Sequence, residues 1–240
     1  MGAQWKQKWR ELHANKKGQL VGKLVKEIQV AAQLGGGDPD LNARLAAALE
    51  KARKNSVTRD TIERAIKVGT GEISGKGTLE TILYEGFAPH RVPVIVECLT
   101  DNRNRTASEI KVLFKAGSFG SPGSVAYLFD HIGIIEATHP QPGRDLEVDA
   151  IEAGASEVSP LEADEIPPGE AGARFITEPK GLSAASKWLA QAGWKLLSSA
   201  LCYDAKTHPP LTEAQAEEVG RFLHALDGHD DVHAVFAAVR

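Results

Sequence analysis

The chain has 240 residues, with 28 Lys+Arg against 32 Asp+Glu, 42% hydrophobic but only 6% aromatic residues, 23 glycines, 12 prolines and 2 cysteines. So few aromatics with so many Gly/Pro breaks predict two or three modest domains rather than one large core. Cys98 and Cys202 sit in apolar runs and read as reduced, buried thiols, which argues against a disulfide scaffold. No apolar run approaches the roughly 20 residues of a bilayer span and no signal-like segment opens the chain, so a cytoplasmic protein is expected.

The small net charge of −4 conceals a split. Residues 1–70 hold 14 Lys+Arg against 7 Asp+Glu, and the other 170 residues hold 14 against 25. A basic head on an acidic body points to a polyanionic partner for the head.

The first sixteen or so residues carry Trp5, Lys6, Lys8, Trp9, Arg10, Lys16 and then Lys17, basic and aromatic without an apolar stripe. Cations for phosphates and indoles for stacking suit a nucleic-acid strand; the alternative is a frayed, solvated arm. From Gly18, the residues Leu20, Val21, Leu24, Val25, Ile28, Ala31 and Ala32 share one face of a helix ending at Gly35. Asp38 and Pro39 read as the start of a second helix with Leu41, Leu45, Ala48, Leu49 and Ala52 as its stripe. Thr58 caps a third, carrying Ile62, Ala65 and Ile66. The glycines 35–37 lack the preceding strand and following Gly-Lys-Ser/Thr of a phosphate loop. The bundle's Lys23, Lys26, Lys51, Arg53 and Lys54 are either a solvated face or contacts to a polyanion, and the excess of positive charge favours the second.

After a linker near residues 72–78, Leu79–Phe87 and Val92–Leu99 are candidate strands. Asp101–Arg105 form a polar corner, Thr106 and Glu109 fit a capping box, and Ile110, Leu113 and Phe114 form the stripe of the helix behind it. Val125, Tyr127 and Phe129 alternate as a further strand would. Arg103 and Arg105 at that corner are solvated punctuation or phosphate contacts; on the residues alone the first has the edge.

From His131 the order is strand 132–136, helix 145–153, strand 155–161, strand 173–177, helix 182–192, strand 194–202, the βαββαβ arrangement of ferredoxin-like domains. Thr212 caps a last helix with Val219, Phe222, Leu223 and Leu226, and Val232, Ala234, Phe236 and Ala238 alternate as a last strand. These complete the earlier strands. The expected fold class is therefore α+β multidomain: a basic helical domain at 1–75, a discontinuous α/β domain at 76–130 plus 204–240, and a domain at 131–203 inserted into it, both α/β parts ferredoxin-like.

Chemistry is sparse. His224, His229 and His233 with Asp227, Asp230 and Asp231 straddle a helix end, a turn and a strand without zinc-ligand spacing, so no metal is assigned and Asp230–His233 read as solvated acids at a strand start. No nucleophile elbow or dinucleotide fingerprint occurs, so neither catalytic residues nor a cofactor are expected.

Several stretches carry a resemblance: GGGDPDLNARL (Gly35–Leu45), IERAIKVGTGE (Ile62–Glu72), YEGF (Tyr84–Phe87), VIVECLTDNRNRT (Val94–Thr106), GSVAYLF (Gly123–Phe129), AIEAGASEV (Ala150–Val158) and DDVHAVFAAV (Asp230–Val239). Together they resemble the YebC family, which includes the mitochondrial translational activator of cytochrome c oxidase subunit I. The resemblance implies an all-helical N-terminal domain followed by two α/β domains, one inserted in the other, without enzymatic activity. It implies a DNA-binding transcriptional regulator or, alternatively, a ribosome-associated translation factor binding RNA, with the transcription machinery or the ribosome as partner; the oligomeric state is not readable from the sequence, and a monomer is favoured. Two departures suggest a paralogous branch: GAQWKQKWRELHANKK replaces an opening like AGHSKWANIKHKK, and Ala88, Pro89, His90 and Arg91 stand where the family has a GPGG turn.

Overall fold

A computed structural model describes residues 17–74, 78–162, 166–167 and 169–239. Three helices come first, α1 (Lys17–Gly35), α2 (Ala43–Lys54) and α3 (Arg59–Gly69), then β1 (Glu80–Phe87), β2 (Pro93–Thr100), α4 (Arg103–Leu113) and a two-residue β3 (Ser118–Phe119). The series β4 (Phe129–His139), α5 (Leu146–Ala153), β5 (Glu157–Pro160), β6 (Ala171–Thr177), α6 (Leu182–Gln191) and β7 (Lys195–Ala205) follows, and α7 (Glu213–Asp227) and β8 (Val232–Ala237) close the chain. The fold class is α+β: an N-terminal helical region, then two sheets with their helices.

The described residues contain no helix long and apolar enough to cross a membrane. Both cysteines are thiols outside any disulfide, and burial with the nearby Asp231 and Glu97 carboxylates pushes the Cys98 thiol up to about 12.

The described residues fall into two compact units, one of residues 17–37, 48–74, 78–130 and 203–239, the other of residues 38–47, 131–162, 166–167 and 169–202. In the first, the sheet order is β3-β1-β2-β8, with β1–β2, β1–β3 and β2–β8 antiparallel. Its core gathers Val94, Ile95 and Val96 of β2, Ile110 and Phe114 at α4, and Phe222, Leu223 and Leu226 of α7. Phe114 meets Phe119 and Phe222 edge-on, at centroid separations of 5.5 and 5.3 Å, the geometry ring quadrupoles favour. In the helical region α3 lies close on α1, and Gly69 makes this possible: a Cβ there would stand 2.4 Å from the Gln29 carbonyl oxygen.

The second unit's sheet runs β5-β6-β4-β7, the order of a βαββαβ split fold, as the sequence predicts. Ile135, Ala137, Ala173 and Phe175 face Ala150, Ala153, Ala185 and Leu189 of the two helices, with Trp194 in the same core. Asp145 caps α5 by accepting from the Glu147 and Val148 N–H groups, and Gly154 ends it at φ 73°.

Three local expectations fail for physical reasons. The second helix starts at Ala43, not Asp38, because the Asn42 side chain caps it by accepting the Leu45 N–H, and Leu41 is left 72% exposed outside the stripe. Helix α4 starts at Arg103 with Asn102 as cap, accepting the Arg105 N–H, so Thr106 and Glu109 lie inside the helix and form no capping box. Val125–Leu128 is not a strand: Ala126–Leu128 form a 3-10 turn, Phe129 opens β4, and the short pairing with β1 comes instead from Ser118–Phe119. The cause is Glu85. Its carboxylate, 8% exposed, accepts the N–H groups of Gly123, Val125 and Ala126 at 2.6, 2.8 and 2.8 Å, satisfying backbone donors that a ladder would otherwise take.

Candidate nucleic-acid interface

Of the residues singled out by sequence, Trp5 and the cations Lys6, Lys8, Arg10 and Lys16 lie outside the described residues, and Lys17 opens α1. The remaining seven positions fall into two groups with different environments.

Lys23, Lys26 and Arg105 are engaged with acidic groups, the two lysines half-buried and Arg105 still exposed. On α1, Lys23 Nζ donates to the Asp227 carbonyl oxygen at the end of α7 and lies 3.8 Å from its carboxylate. An ammonium there complements the unpaired carbonyls and negative pole of a helix C-terminus. One turn on, Lys26 Nζ donates to Asp231 Oδ1 at 2.5 Å, to the Asp230 carbonyl at 3.0 Å and to the Leu99 carbonyl at 3.3 Å. Arg105 reaches Asp231 Oδ2 at 2.9 Å and Asp101 at 3.4 Å.

Asp231 is thus the hub of this region, 4% exposed rather than the solvated acid its sequence context suggested. The Thr106 hydroxyl completes the set, 2.7 Å from Asp231 Oδ2 and 2.8 Å from Thr100 Oγ1. Burial by itself would raise this carboxyl's pKa; hydrogen bonds from Lys26, Arg105 and Thr106 outweigh it and hold the group far below the usual carboxylate range. The backbone of Asp231 is also fixed, its carbonyl accepting the Leu99 N–H and its N–H donating to His229 Nδ1. That leaves the imidazole proton on Nε2, which lies 3.0 Å from Glu109.

Glu109, His229 and Asp231 bring ligand-type atoms within 4.8 Å of one another. They do not fit a metal centre. The imidazole nitrogen facing the Asp231 backbone is occupied by an N–H, and both Asp231 oxygens already meet cations. The arrangement is an ion-pair network.

The second group faces solvent. Lys54 pairs with Glu50 at 2.9 Å in an exposed i,i+4 bridge, and Lys51 stands 4.0 Å from Glu27; such bridges are weak and separate readily. Arg53 is exposed, as are Arg64 and Lys67 of α3, and none of the three has a carboxylate partner among the described residues. Arg103 is likewise exposed without a carboxylate partner among the described residues, and its carbonyl accepts the Tyr84 hydroxyl at 3.4 Å.

Sequence reasoning missed Glu85 and Asp231, the two acids that organise the first unit. The only signal for Glu85 was an acid set between Tyr84 and Gly86 inside an apolar strand.

Comparison with known proteins agrees with this architecture. Residues 3–72 match the TACO1/YebC protein N-terminal domain and residues 79–239 the TACO1/YebC second and third domain. A "Probable transcriptional regulatory protein" of Pseudomonas syringae pv. tomato is 49% identical, covering 100% of this chain and 99% of that relative. One of Bdellovibrio bacteriovorus is 43% identical over 100% of both. The crystal structure of a conserved hypothetical protein from Aquifex aeolicus superposes with a TM-score of 0.77 at 36% identity, covering 95% of this chain and 91% of that one. With both family domains matched and full-length relatives at this identity, the chain belongs to the TACO1/YebC family.

Proposed function

We propose that the protein is a non-enzymatic regulator of gene expression that holds duplex DNA through the solvent-facing cations of its helical region. The observation that carries this reading is the placement of Arg53, Arg64 and Lys67: exposed, without carboxylate partners among the described residues, and within a segment holding 14 Lys+Arg against 7 Asp+Glu. Affinity for duplex DNA comes chiefly from cations that displace condensed counterions, and cations already engaged with internal acids contribute little to it. The relatives' names, probable transcriptional regulatory proteins, support the regulatory role. The acidic α/β parts serve in this reading as the platform for protein partners.

The test is duplex binding by the full chain across a salt series. Replacing Arg53, Arg64 or Lys67 by Ala lowers the slope of log affinity against log salt by about one per residue, irrespective of DNA sequence. Unchanged slopes in all three variants would remove the reading. Binding to purified ribosomes that persists at salt concentrations stripping the protein from DNA would instead assign it to ribosomal RNA.

A further inference from the structure

Arg105 is the one residue of the polar corner at the start of α4 whose guanidinium is pinned to a buried acid. Its side chain remains 46% exposed, so a solvent-borne anion can reach it, yet its NH2 group lies 2.9 Å from Asp231 Oδ2. The same carboxylate takes Lys26 Nζ at 2.5 Å and the Thr106 hydroxyl at 2.7 Å. An ammonium, a guanidinium and a hydroxyl converging on two oxygens form the donor set that recognises a phosphate oxyanion. Its neighbours Asn102, Arg103 and Asn104 are exposed, and among the described residues no acid holds Arg103 in this way.

We propose that Asp231 is a built-in competitor for phosphate, its carboxylate holding Arg105 off the backbone of a nucleic-acid partner. The proposal rests on the nucleic-acid reading above and deepens it, because it divides the two arginines of the corner into one available and one withheld. A phosphate that takes the Arg105 NH2 group competes with Asp231 Oδ2 for it. Whatever loosens β8 or α1 around Asp231 therefore raises affinity for a polyanion, and a polyanion that engages Arg105 loosens the pair in return.

The experiment uses the full chain and a mixed-sequence DNA duplex. Asp231→Asn raises affinity by about threefold or more at low salt and steepens the salt slope by about one, and Asp231→Asn combined with Arg105→Ala returns both to the wild-type values. An Asp231→Asn protein that is folded by circular dichroism yet binds as the wild type does, or that keeps its gain in the double variant, overturns the proposal. Where Asp231→Asn does not fold, the single variants in the wild-type background decide: Arg105→Ala leaves duplex affinity within about twofold while Arg103→Ala lowers it, and equal losses overturn the proposal. A second measurement separates this from failure of the nucleic-acid reading. If no duplex binds at all, the functional reading fails, and thermal melting in sulfate against chloride at matched ionic strength still tests the site. Sulfate raises the melting temperature of Asp231→Asn more than that of the wild type, and equal shifts overturn it.

Discussion

Lys26 and Asp231 lie 205 residues apart in the chain and meet at 2.5 Å, joining the first helix to the start of the last strand. The pair is asymmetric: the lysine side chain is 27% exposed and the aspartate 5%. Its removal therefore has different consequences from each side. Lys26→Met leaves a buried carboxylate with Arg105 and Thr106 only, and is expected to lower unfolding free energy by about 2 kcal/mol, the range for a charged hydrogen bond. Urea unfolding of the full chain measures it.

The same site fixes a pH dependence. The folded-state pKa of Asp231 is depressed relative to an unfolded aspartate near 3.9. Its contribution is thus fully present above about pH 5 and is lost as pH falls through that unfolded value toward the depressed folded one. Acid titration of stability is expected to be shallower in Asp231→Asn than in the wild type, because the variant has no such proton to take up. Parallel curves below about pH 4 would show that Asp231 does not contribute.

Glu85 gives a second test, in which geometry rather than charge decides. Three backbone N–H groups converge on its two oxygens, and a fourth, from Gly120, binds its own carbonyl at 2.8 Å. Glu85→Gln keeps the size but turns one acceptor into an N–H donor facing backbone donors, at an expected cost of about 2–3 kcal/mol. Amide exchange should accelerate at Gly123, Val125 and Ala126 before it does in β2. Tyr127, 67% exposed on the turn that Glu85 holds, should gain mobility with no change in its burial.

The split βαββαβ order was legible because it is written locally, in strand periodicity, an Asp145 cap and a Gly154 stop. The turn at Val125–Leu128 was not, since alternation predicts a strand only where the backbone donors are free to join a ladder, and here Glu85, some 40 residues earlier, takes them. The candidate site divides along the same line. That Arg53, Arg64 and Lys67 face solvent follows from polar positions opposite an apolar helical stripe. That Lys26 and Arg105 are engaged depends on Asp231, separated from them by 205 and 126 residues, which no window of sequence contains.

The turn that departs from the family's GPGG pattern carries measurable strain. His90 and Arg91 have φ of 61° and 60°, the left-handed region where a Cβ crowds the backbone and glycine does not. His90 recovers part of that cost through Glu218, 2.8 Å from its Nε2, whereas Arg91 makes a cation–π approach of 5.9 Å to the Phe87 ring. Arg91→Gly is therefore expected to stabilise the fold by about 0.5–1 kcal/mol, and His90→Gly by less. A loss of stability in Arg91→Gly would mean that the contact with Phe87 outweighs the strain.

In the inserted unit, Asp149 plays the part that Asp231 plays in the other. Arg144 grips it with two parallel bonds of 2.5 and 2.7 Å, and the buried Trp194 donates its indole N–H to Oδ2 at 3.1 Å. His139 lies over Trp194 at 5.3 Å. The Arg144 hydrogen bonds, opposed by burial and helped by the indole, hold the Asp149 carboxyl below its ordinary range, so its contribution too is present above about pH 5 and lost as pH falls. The indole gives a direct readout of this. The Trp194 N–H resonance should stay constant from about pH 5 down to about pH 4 and move under stronger acid, whereas in Arg144→Ala the movement should begin at higher pH and the unit should lose about 2–3 kcal/mol. An indole that shifts at the ordinary aspartate pKa in the wild type would contradict the ion pair, because a carboxylate gripped by a guanidinium yields its charge only to a more acidic solution than a free one does.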